Sequence, residues 1–106
     1  MFARKVWMQL KPGSVAKFSL LIEREVIPKL REQNGFQDEI TFFTPSKDDV
    51  FEISFWDKAE QAEAYNRGTY PAVLKILAGL LEGNPRVETF EVVNSTFHKL
   101  AAAAAA

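Results

Sequence analysis

Apolar residues alternate with others from Phe2 to Leu10, with Val6, Met8 and Leu10 on one side and Lys5, Trp7 and Gln9 on the other. A period of two predicts a strand, because successive side chains of an extended chain point to opposite faces. Pro12-Gly13 breaks the run, and Ser14 stands where a helix N-cap is expected. Val15, Phe18, Ile22, Val26 and Leu30 then recur at spacings of three and four, while Lys17, Glu23, Arg24 and Arg31 take the opposite side. That spacing predicts an amphipathic helix of about five turns. Pro28 inside it removes a backbone donor and crowds the preceding turn, so a kink is expected, and Asn34-Gly35 supplies a left-handed stop.

Two strand-like runs follow, Phe36 to Thr44 and Val50 to Trp56, joined by Pro45-Ser46-Lys47-Asp48-Asp49 with the residue types of a hairpin loop. In the second run Phe51, Ile53 and Phe55 point one way and Glu52, Ser54 and Trp56 the other, the latter set unusually polar for a buried face. Asp57 and Glu60 have capping-box spacing and open a short helix that Gly68 interrupts. Thr69-Tyr70-Pro71 restarts a helix carrying Val73, Leu74, Leu77, Leu80 and Leu81, which Gly83-Asn84-Pro85 ends. Arg86 to His98 then alternates as a fourth strand.

The order strand, helix, strand, strand, helix, strand is the split βαβ arrangement of a ferredoxin-like α+β fold, with a four-stranded antiparallel sheet and both helices on one face. Trp7, Phe43 and Trp56 are expected on the uncovered face, where a second copy of the chain would shield them. A length of 106 residues suits one domain and one core, expected over residues 1–100. Hydrophobic residues at 47% against 25% charged exclude a natively disordered composition.

A net charge of -1, with no Lys/Arg stripe, argues against nucleic acid as a partner. No run approaches the roughly 20 apolar residues of a membrane helix, and MFARKVWMQL reads as a strand rather than a secretory signal. The absence of cysteine excludes disulfides, thiolate catalysis and Cys-ligated metal, and fits a reducing, cytoplasmic setting. HKLAAA resembles a translated cloning site, so Ala101–Ala106 are expected to be tag-derived or disordered.

The stretches FWDKAEQAEAYNRGTYPAVL, VWMQLKPG and EVIPKLREQNGFQDE resemble the antibiotic biosynthesis monooxygenase-like superfamily of dimeric α+β barrels, over nearly the whole chain from Phe2 to His98. The resemblance implies a homodimer formed through the open sheet face. It is specific for fold and weak for reaction, since the superfamily carries unrelated activities on one scaffold. Its cofactor-free oxygenases use an Asn and a Trp on the third strand, with aromatics from the second helix. Trp56 matches the Trp, and Glu52 stands where the Asn is expected. Asn66, beside Tyr65, occupies the position of the iron-ligating His of haem-degrading members, so haem is not expected.

Each candidate has two readings. Trp56 either packs in the core or holds a planar ligand through its ring and indole N–H. Glu52 is either a general base whose pKa is raised by burial or half of an ion pair with Arg or Lys across the dimer. Tyr65, Asn66, Arg67 and Tyr70 surround the break at Gly68, either lining a pocket mouth or sealing the core. Trp7 adds a further aromatic surface for a ligand. His98, the single imidazole, is expected to be solvent-exposed at the chain's end. One His without Cys builds no typical zinc site, and phosphate-loop, Rossmann and serine-elbow motifs are absent, so no metal or cofactor is expected. An electron-rich phenolate can itself reduce oxygen, which leaves cofactor-independent monooxygenase chemistry on a small aromatic or quinol-type compound as one function. A non-catalytic dimeric module for a small apolar ligand, or a stress-response module, is the alternative.

Overall fold

The computed structural model describes residues 1–100; the expectation for Ala101–Ala106 lies outside them. Strand β1 (Phe2–Leu10) leads into α1 (Val15–Leu21), a π-helical turn (Ile22–Val26) and α2 (Ile27–Arg31). A hairpin of β2 (Phe36–Thr44) and β3 (Asp49–Trp56) follows, then α3 (Ala59–Gly68), α4 (Tyr70–Leu77), a 3-10 turn (Ala78–Leu80) and β4 (Leu81–Glu91). The antiparallel sheet has the order β2-β3-β1-β4, and the fold is α+β and ferredoxin-like.

Pro28 acts one turn earlier than its own position. The Ile27 N–H reaches back to Ile22 O, five residues away, so the helix widens into a π turn just before the proline. Gly35 adopts φ 77°, as the expected stop requires, and its carbonyl accepts the Asp57 N–H at 2.9 Å. Neither predicted cap forms as expected. Ser14 makes no side-chain cap bond, and α3 is capped by Gln61, whose Oε1 accepts the Lys58 N–H at 3.0 Å. Asp57 instead accepts from Gln37 Nε2 at 2.7 Å.

The last strand starts and stops earlier than its pattern suggested. Helix α4 ends at Leu77, and Gly83-Asn84-Pro85 lie inside β4 rather than before it. Pairing jumps from Trp7↔Arg86 to Gln9↔Glu82, so extra residues of β4 bulge out, with Gly83 at φ 72° and Pro85 lacking an N–H to donate. After Glu91 the chain leaves the sheet and folds back, placing His98 Nε2 2.6 Å from Asp38 Oδ2 and its ring 6.0 Å from Phe55. His98 is therefore partly covered rather than free in solvent.

Cross-strand register corrects the expected faces of the sheet. Val6 and Met8 pair with Glu52 and Val50, and directly paired residues share a face. Because Val6, Met8 and Leu10 belong to the core beneath the helices, Val50, Glu52, Ser54 and Trp56 must as well. Trp56 and Phe43, expected on the open face, therefore lie on the helix side: Trp56 is in the core and Phe43 packs against it. The open face carries Trp7 with Ile40, Phe42, Phe51, Ile53, Phe55 and Phe90. Phe42 and Phe51 stack there at 4.8 Å, and Phe42 and Phe90 are 43% and 47% exposed. An uncovered apolar face is thus present, built by a largely different set of residues.

Candidate functional site

The inward register of β1 and β3 places polar side chains among apolar ones. Arg4 pairs with Ser54 and Val6 with Glu52, so Arg4 and Glu52 are diagonal neighbours on the helix side of the sheet. Arg4 is only 2% exposed. Its Nη2 donates to Asn66 Oδ1 at 2.7 Å, and its Cζ lies 4.1 Å from the Tyr70 ring centroid and 5.3 Å from that of Tyr65. The junction of α3 and α4 supplies all three partners. Gln33 Nε2, donating to Thr69 Oγ1 at 3.2 Å, ties that junction to the end of α2.

Above this layer opens a cleft of about 460 Å³, lined by Arg4, Asn66, Tyr70, Glu63, Thr89 and the apolar Phe2, Ala62 and Val87. Two buried polar atoms of lining residues, Arg4 Nη1 and Tyr70 Oη, have no hydrogen-bond partner, and neither does Oε1 of Glu52, the diagonal neighbour of Arg4. In a folded core such atoms are uncommon, because each gives up hydration without replacement.

Glu52 is 4% exposed and, among the described residues, makes no ion pair. Burial pushes its carboxyl up to about 8, the negative charge of Glu39 pushes the same way, and the Arg4 guanidinium opposes both. Burial also raises Glu39, against the hydrogen bond that Thr41 Oγ1 donates to it at 2.7 Å. The Tyr65 hydroxyl is raised by burial and then by Glu52, with Arg4 opposing. Tyr70 is raised by burial, opposed by the charge of Arg4 and by a side-chain approach of Arg4 to its hydroxyl that is too loose to count as a hydrogen bond, so Tyr70 Oη stays unpartnered. Both phenols therefore remain protonated at neutral pH and can serve as donors.

The candidates from the sequence divide into three places. Asn66 and Tyr70 line the cleft. Glu52, Tyr65 and Trp56 do not line it and are buried in the core, Tyr65 and Glu52 next to Arg4. Trp56 is fully buried, its indole N–H donating to Ser54 Oγ at 2.9 Å, with Tyr65 tilted against it at 5.4 Å and Phe36 edge-on at 5.6 Å. Arg67 and Trp7 are not part of this group. Arg67 points to solvent and pairs with Glu63 at 3.6 Å. Trp7 lies on the opposite face of the sheet, donates to Asp49 Oδ2 at 3.0 Å, and has the Arg86 guanidinium 4.5 Å over its ring. Arg4 and Glu39 were missed. The available signal was register: Arg4 continues the inward series Val6, Met8, Leu10, where a cation is out of place unless it serves a site.

Among the described residues no group of three or more His, Cys, Asp or Glu side chains is placed to hold a metal ion, and no helix is long and apolar enough to cross a membrane. No family model matches the sequence, and no curated protein matches it. Solved structures do match. A protein of unknown function from Nitrosomonas europaea superposes with a TM-score of 0.74 at 22% identity, over 95% of this chain and 94% of that one. An antibiotic biosynthesis monooxygenase gives 0.70 at 14% identity, over 89% and 100% of the two chains. SnoaB, a cofactor-independent oxygenase from Streptomyces nogalater, gives 0.71 at 14% identity, over 90% and 95%. This chain has the fold of the antibiotic biosynthesis monooxygenase-like superfamily, the one its sequence motifs resemble.

Proposed function

We propose that the protein is a cofactor-independent oxygenase acting on a small aromatic or quinol-type compound. The observation that carries the reading is Glu52, a buried carboxyl with an unpartnered oxygen, no ion pair and a pKa pushed up to about 8, diagonal across the sheet from Arg4, which lines a ligand-sized cleft. A carboxylate of that basicity is better matched to a phenolic proton than one titrating at its ordinary value of 4.5. Arg4 joins the two parts of the site, since it lines the cleft and its charge reaches Glu52.

In this reading ionised Glu52 takes the phenolic proton. The phenolate passes one electron to molecular oxygen, and the resulting radical pair forms a carbon–oxygen bond. The peroxide takes the proton back from Glu52, and the resulting hydroperoxide loses water, its O–O bond and the C–H bond of the same carbon breaking, to leave a carbonyl, so one oxygen atom enters the product and the other leaves as water. Asn66 and Tyr70 orient the ligand, while Trp56 acts indirectly by holding the Tyr65 ring. The fold similarity to SnoaB supports the class of chemistry.

A second copy of the chain covers the open sheet face, burying more than about 2,000 Å² in total, as obligate homodimers do. The lack of cysteine accords with a cytoplasmic site of action.

Oxygen uptake and product analysis on a panel of hydroquinones and anthrones test the proposal. Turnover is expected, with Glu52→Gln losing roughly 10²- to 10⁴-fold. No turnover, or turnover indifferent to that change, removes it. One observation favours a non-catalytic ligand-binding or stress-response module instead: the Trp56 ring is sealed in the core with its N–H already bonded, so it offers no free platform. Ligand binding without oxygen uptake is the outcome that selects this second reading.

A further inference from the structure

Arg4 carries a permanent positive charge that the fold does not neutralise. Arg4 is 2% exposed, the hydrogen-bond partner of its Nη2 is the uncharged Asn66 amide, and its Nη1 has no partner. The faces of Tyr65 and Tyr70 offset part of the charge through their ring quadrupoles. No carboxylate lies within ion-pair distance of Arg4 among the described residues. A buried, unpaired cation is strongly unfavourable, and it persists where it has a partner to receive. Glu52, the diagonal neighbour, is itself held towards its neutral form.

We propose that the cleft takes an aromatic carboxylate, one oxygen received by Arg4 Nη1 and the other by the Tyr70 hydroxyl, with the ring against Phe2, Ala62 and Val87. The two unpartnered buried donors point to one ligand group able to accept from both, and a carboxylate accepts two hydrogen bonds side by side. The cleft volume of about 460 Å³ falls in the usual small-molecule range of roughly 300–1,000 Å³. Glu63, the one acidic residue on the lining, is 70% exposed and paired with Arg67, so water screens its repulsion at the mouth. The inference deepens the oxygenase reading, resting on the same cleft, by specifying the charge of the ligand.

Isothermal titration under nitrogen separates the two ideas, because no oxygen-dependent step occurs. The probes are 2-naphthoate and its neutral isostere 2-naphthamide. The parent protein is expected to bind the carboxylate roughly tenfold or more tightly than the amide, as loss of a charge-assisted pair implies. Arg4→Gln is expected to abolish the preference, and Tyr70→Phe to weaken naphthoate several-fold while sparing naphthamide. Equal affinity for both probes, binding of neither, or a preference retained by folded Arg4→Gln overturns the proposal. Should Arg4→Gln fail to fold, the parent comparison together with Tyr70→Phe decides it. A preserved carboxylate preference without turnover of hydroquinones in air removes the oxygenase reading alone.

Discussion

Trp56 donates its indole N–H to the hydroxyl of Ser54, two residues back on the same face of β3, at 2.9 Å, and both side chains are fully buried. The bond satisfies a polar atom that would otherwise sit dry in the core. Ser54→Ala leaves the indole N–H orphaned and is expected to cost about 1–3 kcal/mol. Urea denaturation monitored by fluorescence reads it; a loss under about 0.5 kcal/mol means that another acceptor takes over.

Glu52 makes stability fall with pH. Its carboxyl is held at about 8 in the folded state against 4.5 when unperturbed, so between those values the folded chain binds a proton that the unfolded chain has released. Unfolding therefore becomes easier as pH rises through this window, by up to about 1.4 kcal/mol per pH unit. Glu39, also raised, adds to the same slope. Glu52→Gln is expected to flatten most of the dependence and to exceed the parent in stability at pH 8. Turnover moves the opposite way, since the base must be ionised: the rate is expected to climb with pH and level off above about 8. Denaturation curves and initial rates across pH 5–9 check both, and a parent protein with flat stability contradicts the buried, protonated Glu52.

Gly35 holds φ 77°, and a β-carbon added there would collide with the Gln61 side chain, which caps α3. Gly35→Ala thus combines a left-handed strain with loss of a cap, for an expected cost of about 2 kcal/mol or more. Thermal unfolding checks it, with a fall of several degrees in Tm expected.

Phe42 of the edge strand β2 stacks on Phe51 of β3 on the exposed apolar face, on the side of the sheet away from the candidate site. Phe42→Asp is expected to leave the circular dichroism unchanged and to convert a dimer of 12.0 kDa chains into monomers. Light scattering reads this directly, and a parent protein that is already monomeric contradicts the second copy.

The pattern of apolar positions by itself determined the elements and their order, because amphipathic periods of two and near 3.6 are local properties of the chain. The strand ending at Leu10, the first helix with its disturbance at Pro28, and the hairpin between Phe36 and Trp56 all lie where those periods place them. Asn66 and Tyr70 were also legible as pocket residues, since Gly68 marks the junction that carries them. What the sequence did not settle was which side of β3 turns inward. Phe51, Ile53 and Phe55 are the more apolar set, yet pairing with Val6 and Met8 sends Glu52 and Trp56 beneath the helices instead. Register is a relation between strands far apart in the chain, so only the tertiary structure could bring Arg4, Glu52 and Tyr70 together and leave a cation and a carboxyl buried without an ion pair among the described residues, each with one unpartnered polar atom.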